Sequence, residues 1–277
     1  MKAIWIMAGL TLREAARRKI LWTALVAGAL LLTVFAVAMH LQVMEFQGRA
    51  MSPFVRYQVE AGMLMIGLYT CDLLAVVLTI LTSIDTLAGE ISSGTIHAIA
   101  TKPIARWQIL VGKFLGFVAM ISAYVVVTFY ATIWVAYATT GVLPQHPLRG
   151  LLLVIFECAL ALGLTFMFGT WFSTLTNGVL VLGLQGVAFM GGWLEQVSGF
   201  SQSVHIVTLG IVSSLLMPGE SLWRRAAYQM QTPLAGSLSF SPFANVSIPS
   251  LTAMAYAAVY LGLALAVALY HFNQRDL

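Results

Sequence analysis

Charge is what this 277-residue sequence has least of: only 9% of its residues are Asp, Glu, Lys or Arg. Soluble domains carry about 25%, so too few charges are present to cover a water-facing surface. A water-soluble domain is excluded. Cysteine is scarce as well. Cys71 and Cys158 both sit in apolar runs, which rules out a disulfide-stapled scaffold and fits buried thiols. No residues have the spacing of a metal motif, a catalytic triad or a pair of catalytic carboxylates in a soluble pocket. A phosphate-cradling P-loop is missing too. The sole Gly-Lys pair is Gly112-Lys113, with Trp107 where that loop's first glycine belongs and Phe114 where Ser or Thr must follow. The chain is therefore not expected to be an enzyme or to hold a cofactor, and its energy must come from another polypeptide or an ion gradient.

Apolar residues are what it has: 60% of the chain, with a mean hydropathy of +0.91. A membrane-spanning helix needs about 20 of them in a row. Six runs qualify: 20–40, 62–84, 109–138, 151–172, 178–197 and 250–272. The second carries Asp72, which costs about 2.5–3.5 kcal/mol at mid-helix. Its eleven Leu, Ile and Val residues return roughly 5 kcal/mol on the same scale, so it inserts. The expected fold is an all-α integral membrane protein with six transmembrane helices, forming one domain over 1–277.

The stretch 198–249 is expected to be extracytoplasmic or re-entrant. Within it, Val204–Met217 is too short to cross. Pro218 stops it, and Pro218–Met230 reads as an amphipathic helix with Trp223, Arg224 and Arg225 at a membrane surface. Gln231–Ser250, rich in Ser and Pro, reads as an irregular loop. With six spans and both termini in the cytoplasm, nine Lys and Arg lie inside and five outside, the bias expected of cytoplasmic loops. A seventh span at 204–217 would sharpen that bias slightly, and segment length decides against it. The net charge of +4 thus reads as an orientation signal facing the bilayer, with no nucleic acid implied. Ala36-Val37-Ala38 has the form of a signal-peptide cleavage site, but the run before it is too long for one.

Residues 1–19 wind into a basic amphipathic helix, with Trp5, Ala8, Leu12 and Ala16 near one face and Arg13 and Arg17 on another. Together with Arg18 and Lys19 they form either a membrane-surface helix or a plain positive anchor, on the cytoplasmic leaflet in both cases. Between the second and third spans, 85–106 holds partial helical spacing, a bend at Gly94 and a break at Pro103. Two short helical pieces at the membrane surface are expected there. By composition alone it is a polar loop, with Glu90 and Ser92-Ser93-Gly94-Thr95 facing water or a partner.

The string Gly89-Glu90-x3-Gly94-Thr95, then Lys102-Pro103-Ile104-x-Arg106, then Gly112-Lys113 resembles the ABC type-2 permease family, the membrane subunits of ATP-driven exporters. The similarity extends over the chain and is nearest to stand-alone permeases that pair with a separate ATPase, such as copper-enzyme maturation permeases. The resemblance implies that 85–106 is a coupling helix docking into the ATPase, with Glu90, Gly94, Thr95, Pro103 and Arg106 carrying the contact. It also implies an elbow helix at the N-terminus, ATP and Mg held by the partner subunit, a homodimer or heterodimer of permeases, and a bacterial-type inner membrane. Relatives often end in a run of Arg, whereas Arg275 stands alone here.

Polar residues inside the spans are the remaining signals. Asp72, Glu157 and Gln185 are candidates for a translocation path or proton carrier, or for polar contacts that fix helix packing. Met39, His40 and Met44 could offer Cu(I) its soft ligands, yet Met is a common packing filler. Small residues recur at Ala258, Gly262 and Ala266 and at Ala159 and Gly163, spacing that suits close helix contacts within or between subunits. Two other classes of function remain: a gradient-driven transporter using Asp72, and a membrane scaffold that moves nothing.

Overall fold

The computed structural model describes residues 2–17, 19–47, 52–92, 105–201, 204–231 and 248–274. Their regular structure is helical throughout: α1 Lys2–Arg17, α2 Lys19–Gln47, α3 Pro53–Ser92, α4 Arg106–Thr140, α5 Pro147–Gly169, α6 Thr174–Ser201, α7 Val204–Leu216, α8 Gly219–Met230 and α9 Leu251–Gln274. Six of these, α2–α6 and α9, are long and apolar enough to cross a membrane. They coincide with the six expected spans, so the chain is a multi-pass membrane protein. The upper end of the bundle is where residues 141–146 join α4 to α5, and the lower end is where α3 stops and α4 starts.

The central element is α5. Leu160, Ala161, Leu162, Leu164 and Phe166 are all buried, so its lower half is enclosed on every side. A helix apolar all round belongs in a core. By contrast α2 and α9 are peripheral, exposing Leu30, Val34, Val37, Val259 and Leu263. The Ala258, Gly262 and Ala266 stripe is also exposed, and the buried positions of α9 are Ala257, Ala264, Ala268 and Phe272. Among the described residues that stripe therefore makes no packing face within the subunit.

The first helix lies along the lower part of α4 because two glycines let it. A Cβ on Gly112 would sit 2.9 Å from the Ile4 carbonyl oxygen, and one on Gly116 2.8 Å from that of Ala8. Met7, Ala8 and Thr11 are buried there while Trp5 and Leu12 are exposed. The expected grouping of Trp5, Ala8 and Leu12 on one side is thus split by the contact. Arg13 is exposed, and the side chains of Arg17 and Lys19 lie outside the described residues, as does Arg18 altogether.

The third helix is 40 residues long, about 60 Å, roughly twice the ~30 Å hydrocarbon core of a bilayer. Residues 85–92, expected as a separate surface piece, are its continuation. Residues 93–104, with Gly94, Thr95 and Pro103, lie outside the described residues, and so does the side chain of Glu90.

Helices α7 and α8 form a hairpin. The first runs antiparallel to α6, with Gly210 against Glu195 and Ser213 against Gly191. At 13 residues it is about 20 Å long, too short to cross. Met217 and Pro218 turn the chain, and α8 then runs back along α5, ending where Gln145 N donates to Met230 O at 3.1 Å. The hairpin thus enters from the upper end and returns to it. Tyr256 and Tyr260 of α9 cap the free carbonyls of Leu215 and Leu216 at 2.6 and 2.9 Å, groups that a helix end otherwise leaves unpaired. The expectation for α8 needs correcting. Trp223 is 2% exposed and Arg224 4%, so they face the bundle interior, where Arg224 meets Glu195 at 2.7 Å.

Candidate functional site: a carboxyl cluster at the hairpin tip

The turn at Pro218 delivers Gly219 and Glu220 to the middle of the bundle. Glu157, ten positions into α5, lies about 15 Å from the start of that helix, half the depth of a hydrocarbon core. A Cβ on Gly219 would be 3.0 Å from Glu157 Oε1 and 3.2 Å from Gln185 Oε1, so the tip is seated by backbone. Three residues read from the sequence, Asp72 on α3, Glu157 on α5 and Gln185 on α6, converge here, at 3%, 1% and 7% exposure. Gln185 Nε2 donates to Glu157 Oε1 at 3.1 Å.

Glu220, Tyr69 and Arg224 complete the arrangement. The Tyr69 hydroxyl donates to the Glu220 carboxylate, lying 3.3 and 3.2 Å from its two oxygens. Its ring packs on Trp223 at 5.0 Å between centroids and stacks with Phe189 at 6.2 Å. The field of Glu220 reaches Asp72, and those of Asp72 and Glu220 reach Glu157. Burial pushes the Glu220 carboxyl from 4.5 up to about 8, against the pull of the Arg224 guanidinium and the Tyr69 hydroxyl. Arg224 is itself engaged by Glu195. Asp72 Oδ1, Glu157 Oε2 and Gln185 Oε1 are buried acceptors with no donor among the described residues.

Glu220 escaped sequence reading for a clear reason. An acid in the first turn of an amphipathic helix is ordinarily a dipole partner at a surface, and nothing local reveals that this surface is protein. Chemically, the cluster can bind and release protons and hold the hairpin tip against three spans.

The other sequence candidates separate. Arg106 lies at the lower end, where its Nη1 donates to Asn273 O at 3.1 Å, a cation on the last turn of α9. Nearby, Thr174 Oγ1 donates to Asp85 at 3.2 Å and Asn177 Nδ2 donates to Thr165 O at 3.0 Å, knitting α3, α5 and α6 together. Met39 is buried in the core while His40 and Met44 are exposed. Those three do not converge, and no group of His, Cys, Asp and Glu among the described residues could hold a metal ion.

A family model described as "ABC-2 family transporter protein" matches residues 70–277, well over half the chain and inclusive of Asp72, Glu157, Gln185 and Glu220. No curated protein matches at a significant level.

Proposed function

This chain belongs to the ABC-2 transporter family and is the membrane permease component of an ABC transporter, and from that premise we propose that it is an exporter permease driven by a separate cytoplasmic ATPase. The partner would bind ATP and Mg, and this chain would contribute no nucleotide site. The observation that supports the coupling is one continuous helix. Asp72 and Glu90 both lie on α3, about 27 Å apart along its axis. A push on residues 85–92 is therefore delivered along one helix to the carboxyl cluster. In this reading the lower end and both termini are cytoplasmic, α1 is an elbow at the inner leaflet of a bacterial-type inner membrane, and the hairpin opens outward. Glu90, Gly94, Thr95, Pro103 and Arg106 form the docking region, and two permease subunits, alike or different, enclose the path.

The test is to purify the tagged protein from its native host in detergent or nanodiscs. An ATP-binding subunit is expected at roughly one copy per permease. Its absence, or labelling of residues 93–104 from the outer side of intact cells, would remove the assignment. The cluster of three carboxyls favours a second reading, gradient-driven transport through Asp72. ATP-independent transport in liposomes, lost in Asp72→Asn, would establish that alternative.

A further inference from the structure

We propose that Asp72, Glu157 and Glu220 form a proton-binding site at the hairpin tip, and that the tip stays seated in the bundle only while these carboxyls carry protons. Three observations converge on it. First, Asp72 Oδ1, Glu157 Oε2 and Gln185 Oε1 are buried acceptors lacking donors among the described residues. An ionised carboxylate only accepts, whereas a protonated one also donates. Protons on the carboxyls supply the donors that the cluster lacks.

Second, the charge balance forbids full ionisation. The groups facing the cluster are Tyr69, Cys71 and Asp72 from α3, Glu157 and Cys158 from α5, and Glu195 from α6. Arg224 comes from α8 itself, and α9 presents Tyr256 and Tyr260 to the hairpin backbone. Among the described residues the guanidinium in contact, Arg224, is paired with Glu195 at 2.7 Å, and Arg225 donates to Pro249 O. Three carboxyls buried to 5% exposure or less, with that cation already paired, cannot all ionise in a dry interior.

Third, hairpin and bundle each bring a carboxyl to the seat of the tip. Gly219 sets its backbone beside Glu157 and Gln185, and the next residue, Glu220, accepts from Tyr69. Loss of protons leaves like charges facing one another across the tip and drives it out. Each carboxyl takes its proton from water and returns it there, so one ligand, H⁺, accounts for the step. The site would regulate the permease whether the drive is ATP or a gradient.

The sign is set by Glu220. Its carboxyl titrates near 4.5 when free and at about 8 when docked. Docking is therefore undiminished below about 4.5, weakens as pH rises between these values, and levels off above the upper one. One proton taken up on docking means about a tenfold fall in the docked population ratio per pH unit. The experiment is hydrogen exchange by mass spectrometry on the full-length permease in lipid nanodiscs, from about pH 5 to 8, a window that lies within the titration range of a linked carboxyl, corrected for intrinsic exchange. Protection of amides 213–223 is expected to fall about tenfold per pH unit, while that of residues 160–166 in α5 stays level. Glu220→Gln should flatten the slope, and adding Asp72→Asn and Glu157→Gln should abolish what remains. A level wild-type profile, or an unchanged slope in the triple variant, would overturn the proposal. Should the triple variant fail to fold, the wild-type slope alone decides. Presence or absence of a co-purifying ATPase in the same sample tests the functional assignment separately.

Discussion

Gly219 sets its backbone directly against the carboxyl of Glu157: a Cβ there would come within 3.0 Å of Oε1. This contact brings the end of a short helical hairpin to mid-bundle depth, against α5 and α6.

A larger residue at 219 should therefore unseat the tip. Gly219→Val is expected to cost about 1–3 kcal/mol, the usual penalty for overpacking, seen as a lower melting temperature and faster proteolysis within 204–231. Insertion of the six spans should be unchanged in protease-protection assays.

Arg224 and Glu195 form a largely buried ion pair at 2.7 Å. Removing Arg224 takes this cation from a largely buried carboxylate, so Arg224→Ala should destabilise the protein by about 3–5 kcal/mol. Adding Glu195→Gln should recover a large part of that loss. A double-mutant cycle on thermal unfolding measures the coupling.

Gly116 allows α1 to lie on α4, with the Ala8 carbonyl oxygen 2.8 Å from where a Cβ would be. Gly116→Leu should detach α1, again at about 1–3 kcal/mol. The readout is protease cleavage within residues 2–17 in variant membranes under conditions that spare the wild type.

Glu90 lies on the last turns of α3, in the stretch proposed to meet the ATPase. Glu90→Arg should lower transport by tenfold or more while expression, insertion and thermal stability stay at wild-type levels. Transport at the wild-type rate would take Glu90 out of the coupling.

Much of the bundle was legible because the bilayer imposes lengths. Spans such as 109–138 and 151–172 declare themselves by apolar length, and Val204–Met217 by being too short. Asp72, Glu157 and Gln185 stood out since polar groups in apolar runs are costly. Their meeting at one site did not, because nothing along the chain says which way each helix is rotated.

Sequence by itself determined that the protein is a membrane protein with six spanning helices, resembling a permease, where those spans fall, and which polar residues they carry. Tertiary structure alone decided that Trp223 and Arg224 point inward, that Ala258, Gly262 and Ala266 point outward, and that Glu220 joins Asp72 and Glu157. The physical reason is the solvent. Lipid and protein interior are equally apolar, so an apolar pattern marks a helix for the bilayer without saying which face meets lipid. An amphipathic segment such as α8 likewise has a polar face whose partner, water or a buried cluster, is fixed only when the other helices arrive.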